Sequence, residues 1–183
     1  MSDTSPILVW FRRDLRLTDH PALSAAAQTG RPVIPVFIND SLVDALAAAP
    51  KWRLGLGIGC FAQALREKSS QLVLRKGDAL EVLQDLIQQT GAGAVYWSRL
   101  YDPETTARDS RIKDALKNAG VNARSFGGHL MFEPWTVETK TGGYYKVYTP
   151  FWNSVKNTGV DAPLAAPSTL TAPAQWPDSD DLE

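Results

Sequence analysis

The chain has 183 residues, 44% of them hydrophobic, enough for one packed domain and too few for two large ones. Its 19 Lys+Arg against 20 Asp+Glu give a net charge of −1 and a pI of about 6.1, without the basic excess of a tight duplex binder. The single cysteine, Cys60, cannot close an internal disulfide and fits a reducing, cytoplasmic setting, and no metal-ligand spacing links it to His20 or His129.

The opening MSDTSPILVWFRRDLRL lacks a basic region followed by a long apolar stretch, so no signal peptide is expected. All apolar runs fall far short of a membrane span, and no membrane partner is expected. Residues 7–11 form a short continuous apolar run, the pattern of a strand buried on both faces. Residues 21–29 are alanine-rich and read as a helix, with Asp19 as its N-cap and Gly30 as its stop. Residues 31–38 read as a second strand, whose two prolines predict irregular pairing at its start.

A helix follows over residues 51–68, with Leu54, Ile58, Phe61, Ala62 and Leu65 on one face. Residues 71–75 are a third strand. Gly77 and Asp78 then make a turn, and Asp78 caps a helix over 79–90 that turns Leu80, Leu83, Leu86 and Ile87 inward. A fourth strand (94–97), a helix over 103–119 closed by Gly120, and a fifth strand (122–126) complete the series. Such alternation with short connections predicts an α/β fold, a five-stranded parallel sheet with helices on both faces.

After Phe126 the rhythm stops. Residues 129–137 and 143–153 hold two phenylalanines, two tryptophans and three tyrosines without periodicity, more apolar surface than a monomer usually exposes. An interface with a further domain explains this better than a self-contained core. Residues 163–177 have the composition of a linker, and PDSDDLE is an acidic tail.

In an open parallel sheet, ligands sit beyond the carboxyl ends of the strands. Here those ends are 12–14, 39–41, 77–78, 98–104 and 127–129. Gly55, Gly57 and Gly59 do not make a dinucleotide fingerprint, because they lie inside a helix after the second strand. Close packing of that helix, or a loosened first turn, is the expected reason for them. WFRRDLRL (10–17) has two readings. One is a solvated turn with Asp14 on a neighbouring arginine, worth under roughly 1 kcal/mol. The other is a ligand-orienting or domain-docking turn built on guanidinium groups.

WFRRDLRLTDHPAL (10–23) resembles the amino-terminal signature of the photolyase/cryptochrome family. RKGDALEVLQDL (75–86), VYWSRLYDPETTARDSRIKDAL (95–116) and FEPWTVETKTGGYYKVYTPFWNS (132–154) follow in the family's order. The resemblance implies a Rossmann-like antenna-binding domain over residues 1–130. An aromatic segment over 131–160 would pack on it and face an absent FAD domain, and residues 161–183 would start the linker and acidic tail. The implied function is light harvesting for a cyclobutane pyrimidine dimer photolyase (a deoxyribodipyrimidine photo-lyase). A cryptochrome photosensory fragment and a free-standing nucleotide-binding module are the alternatives.

No residue of this chain is then expected to be catalytic. FAD and damaged DNA would be met only through the C-terminal FAD domain, the expected partner. By motif position, Phe37, Asp40, Arg53, Leu100, Asp102 and Glu104 would bind an antenna, either methenyltetrahydrofolate or an 8-hydroxy-deazaflavin. Each also has a plain reading: Phe37 as core, Arg53 as surface, Asp102 with Pro103 as a helix start. Folate-binding members often carry an Asn-Glu pair where Glu104 and Thr105 stand. Deazaflavin-binding members carry acids at the positions of Asp102 and Leu100. This chain matches neither pattern in full, and the isolated chain is expected to hold no antenna.

Overall fold

A computed structural model describes residues 4–181. The start of the expected leader-free N-terminus and the last two positions of the acidic tail, 1–3 and 182–183, lie outside the described residues. The elements run β1 (Ile7–Phe11), α1 (Pro21–Gln28), β2 (Val33–Asn39), α2 (Ser41–Asp44), α3 (Ala48–Arg66), β3 (Val73–Lys76), α4 (Ala79–Thr90), β4 (Ala94–Ser98), α5 (Pro103–Asn118), β5 (Asn122–Phe126) and α6 (Tyr148–Val155).

The five strands are all parallel, in the order β3-β2-β1-β4-β5. Along β1, Ile7, Val9 and Phe11 face one layer, and Leu8 and Trp10 face the other. The first layer is filled by Leu23 of α1 and Ile58, Phe61 and Leu65 of α3. The second holds Leu83 and Leu86 of α4 and Ile112 and Leu116 of α5. Burial of each such side chain contributes about 1.5–3 kcal/mol.

Pro35 sits inside β2 opposite Val9, and the ladder to β3 begins one residue later, at Val36 opposite Val73. The missing N–H therefore breaks no bond between β2 and β3. Asp78 caps α4 by accepting from the N–H groups of Leu80 and Glu81, and Gly91 closes it with φ of 66°. α1 departs from expectation. Its cap is His20, whose Nδ1 accepts from Leu23 N–H at 3.1 Å. Asp19 turns away with φ of 49° and accepts from the Leu164 N–H instead.

Two further expectations need correction. A Cβ at Gly57 would touch only Leu15, at 3.5 Å, and one at Gly55 or Gly59 would touch nothing, so close packing accounts for one glycine of the three. Residues 161–181, although without helix or strand, lie on the α/β body as a strap and are not a free linker. The strap starts at Asp19, whose N–H donates to Leu164 O at 2.7 Å. It then buries Leu170 in the first layer and gives Thr171 O to the Val33 N–H at 2.9 Å. Trp176 packs on the second layer, and the end reaches the edge strand β3. There Leu74 N–H donates to Ser179 Oγ at 2.9 Å, and Asp180 N–H donates to Leu74 O at 2.8 Å.

Candidate functional site

The sheet reverses its strand order between β1 and β4, and a crevice there would ordinarily take the ligand. In this chain side chains fill it. Arg12, at the end of β1, pairs with Asp109 of α5 at 2.7 Å and donates to Ser98 O of β4. Arg108, one position before Asp109, pairs with Asp40 beyond β2 and with Asp109 at 2.9 Å. The two guanidinium groups lie 4.6 and 4.8 Å from the ring centroid of Trp10. Burial lowers the pKa of Arg12, and its bond to Asp109 works the other way.

Asp14 is likewise inside, at 2% exposure, and is not on a solvated surface. It accepts from Arg12 N–H at 2.9 Å, and His20 Nε2 lies 2.8 Å from its Oδ2. Burial alone would raise its carboxyl. Hydrogen bonds from His20, Ser98 and the Arg12 N–H outweigh that and hold it below the usual carboxylate range. Of the WFRRDLRL arginines, Arg13 is exposed and meets Asp102 at 3.1 Å, while Arg16 donates to Gly128 O at 2.7 Å. The turn thus ties β1 to the loops after β4 and β5.

Open space lies to either side of this plug. On the β2–β3 side a cleft of about 680 Å³ is lined by Phe37, Leu54, Ile58 and Leu74, with Asn39, Lys51 and Lys76 among its polar groups. Phe37 is 4% exposed, and the Asn39 side-chain oxygen is buried without a hydrogen-bond partner among the described residues. On the β4 side Arg13, Leu100, Tyr101, Asp102, Pro103 and His129 line a shallower hollow of about 470 Å³.

The candidate antenna residues therefore divide. Phe37 lines the cleft, whereas Leu100 and Asp102 share the hollow. Asp40 is committed to Arg108 and to the N–H groups of Leu42 and Val43. Arg53 is exposed and lines a third depression with Leu15, Leu17 and Cys60. Glu104 is exposed in the first turn of α5, and Thr105 is buried with Oγ1 donating to Asp102 O at 2.9 Å. Motif position did not single out Leu54, Ile58 or Leu74; the apolar spacing of α3 was the available signal for the first two.

Beyond β5 the aromatic segment is pinned at its start. Glu133 accepts from Arg99 at 2.6 Å and from the Tyr101 hydroxyl at 2.8 Å, and Arg99 lies 5.5 Å from the Trp135 ring. A Cβ at Gly127 would come within 2.8 Å of the Glu133 carboxylate, so a larger residue there would displace that side chain. Burial and the Glu133 carboxylate both raise the Tyr101 hydroxyl above its ordinary pKa. Beside this clamp, Met131 and Tyr144 are exposed on a second groove of about 680 Å³ that Phe132, Phe151 and Trp152 also line.

The DNA photolyase family model matches residues 7–168. The deoxyribodipyrimidine photo-lyase of Agrobacterium fabrum is 44% identical over 98% of this chain. Cryptochrome-1 of Arabidopsis thaliana is 33% identical over 89% of it. The crystal structure of a bacterial class III photolyase from Agrobacterium tumefaciens matches with a TM-score of 0.94 at 44% identity, covering 98% of the chain. The chain spans 38% of the Agrobacterium fabrum protein, 25% of the cryptochrome and 38% of the crystallised photolyase. Sheet order, motif series and these likenesses agree: the chain belongs to the DNA photolyase family.

Proposed function

We propose that this chain is the light-harvesting domain of a cyclobutane pyrimidine dimer photolyase, working with an FAD-binding helical domain that carries the repair chemistry. The observation that carries the reading is the β2–β3 cleft, whose apolar walls suit a flat heteroaromatic ring. Phe37, Leu54, Ile58 and Leu74 would hold the ring, and Asn39 and Lys51 would orient its polar edge. The chromophore, methenyltetrahydrofolate or an 8-hydroxy-deazaflavin, supplies absorption and non-radiative transfer to the flavin. The chain itself supplies position and exclusion of water.

The groove around Tyr144, Phe151 and Trp152 is the face on which the flavin domain docks. The chain's 38% share of its photolyase relatives and the exposure of so many large apolar side chains support this assignment. Damaged DNA is met through that domain, because the charge of −1 offers it little here. The photolyase reading is preferred to the cryptochrome one on identity, 44% against 33%.

Part of the site's enclosure comes from the partner domain, so the chain alone binds its chromophore weakly. Titration is therefore the informative measurement. At ten times its dissociation constant, methenyltetrahydrofolate or the deazaflavin should stabilise the chain by about 1.4 kcal/mol. That raises Tm by roughly 3–6 °C, alongside a shifted absorption band. No shift in Tm or absorption with either compound, even with the flavin domain added, contradicts the light-harvesting role.

A further inference from the structure

One wall of the β2–β3 cleft comes from the strap. Ser179, Asp180 and Asp181 line it, and the strap is held there through the Asp180 N–H and the Ser179 hydroxyl. The Asp180 and Asp181 carboxylates make neither of those contacts, and both residues are exposed. Three cations line the same cleft: Lys51, Arg75 and Lys76. Two of them are already neutralised. Lys51 Nζ lies 3.4 Å from Asp44 Oδ1, and Arg75 pairs with Asp85. Lys76, which lines the cleft together with Asp180 and Asp181, is its unpaired cation among the described residues. With the strap docked the balance is negative, and without its carboxylates it is positive.

We infer that Asp180 and Asp181 set the charge selectivity of the cleft, weakening its hold on a ring that carries a phosphate relative to the same ring without one. The inference rests on the reading of this cleft as the chromophore site. It makes the strap more than a connection, because two side chains far along the chain from α3 decide which ligands enter beside it. The charges act across a solvated rim, so their reach is the screening length, about 10 Å at about 0.1 M salt.

The test compares riboflavin, which is uncharged, with flavin mononucleotide, which adds a phosphate to the same ring. The wild-type chain should bind flavin mononucleotide more weakly than riboflavin. In the Asp180→Asn/Asp181→Asn variant the ratio of the two dissociation constants should fall about fivefold at about 0.1 M salt. The change should collapse at about 1 M salt, where the screening length is about 3 Å. Lys76→Gln should move the ratio the opposite way, which a mere loosening of the strap would not do. A ratio unchanged by either substitution, with both flavins still bound, overturns the selectivity and leaves the chromophore site standing. Failure of both flavins to bind either protein overturns the selectivity, and the chromophore site falls with it only if methenyltetrahydrofolate and the deazaflavin also fail with the flavin domain added.

Discussion

Replacing Asp14 with Ala is expected to cost about 3–4 kcal/mol of stability and to lower Tm by roughly 10 °C. His20 is fully buried, and its Nδ1 is used as the acceptor that caps α1, so Nε2 carries the proton and lies 2.8 Å from Asp14 Oδ2. Removing the carboxylate leaves that N–H and the Arg12 amide buried without an acceptor, each at about 1–3 kcal/mol. Asp14→Asn should not restore the loss. Its amide cannot accept from both donors, and reversing the imidazole tautomer would point a proton at the Leu23 N–H. Denaturant unfolding of the three proteins checks this, and a cost below about 1 kcal/mol would place Asp14 in solvent after all.

The same group sets an acid limit. Its folded-state pKa lies below the ordinary value of 3.8, so its contribution is complete above that pH and is lost as pH falls toward the folded value. The stability difference between wild type and Asp14→Ala should shrink as pH falls below about 4.

Arg108→Met is expected to cost about 2–3 kcal/mol, less than the 3–5 typical of breaking a buried pair. The discount has a structural source. Asp109 keeps Arg12 at 2.7 Å, and Asp40 keeps the Leu42 and Val43 N–H groups at 3.0 and 3.1 Å. What is lost is the bridge from the loop after β2 to α5, together with one of the two cations over Trp10. Asp40→Asn alone should cost less, and the double variant should cost less than the sum of the two. The coupling between them should be at least about 1 kcal/mol by double-mutant cycle. Strict additivity would mean that the bridge contributes nothing.

The strands and long helices were legible in the sequence because their signal is local. Ile7–Phe11 is apolar throughout and two-faced, and Asp78 caps α4 from within its own turn. The crevice was not legible for the opposite reason. Asp40 meets Arg108 across 68 residues, and Asp14 owes its burial to Ser98 and to the loop before α1. WFRRDLRL looks solvated until those neighbours arrive. The helix Tyr148–Val155 was hidden by Pro150, which is tolerated because it falls in the first turn. In the strap, Leu170 and Trp176 were the apolar residues that betrayed docking, but two anchors without periodicity do not distinguish a strap from a linker. Of the residues named from motif position, Phe37 lines the cleft and Asp40 supports the plug beside it, a difference only the fold reveals.

The light-harvesting account stands or falls on where a chromophore sits, and two substitutions ask this directly. Leu54 lines the β2–β3 cleft and Leu100 lines the hollow after β4, and both are half-buried rather than core. Leu54→Arg and Leu100→Arg should therefore both fold, and each closes one space. Titrated with methenyltetrahydrofolate and with 8-hydroxy-deazaflavin, Leu100→Arg should keep the wild-type absorption shift, and Leu54→Arg should lose it. Retention of the shift by Leu54→Arg would contradict the assignment of the chromophore to the cleft.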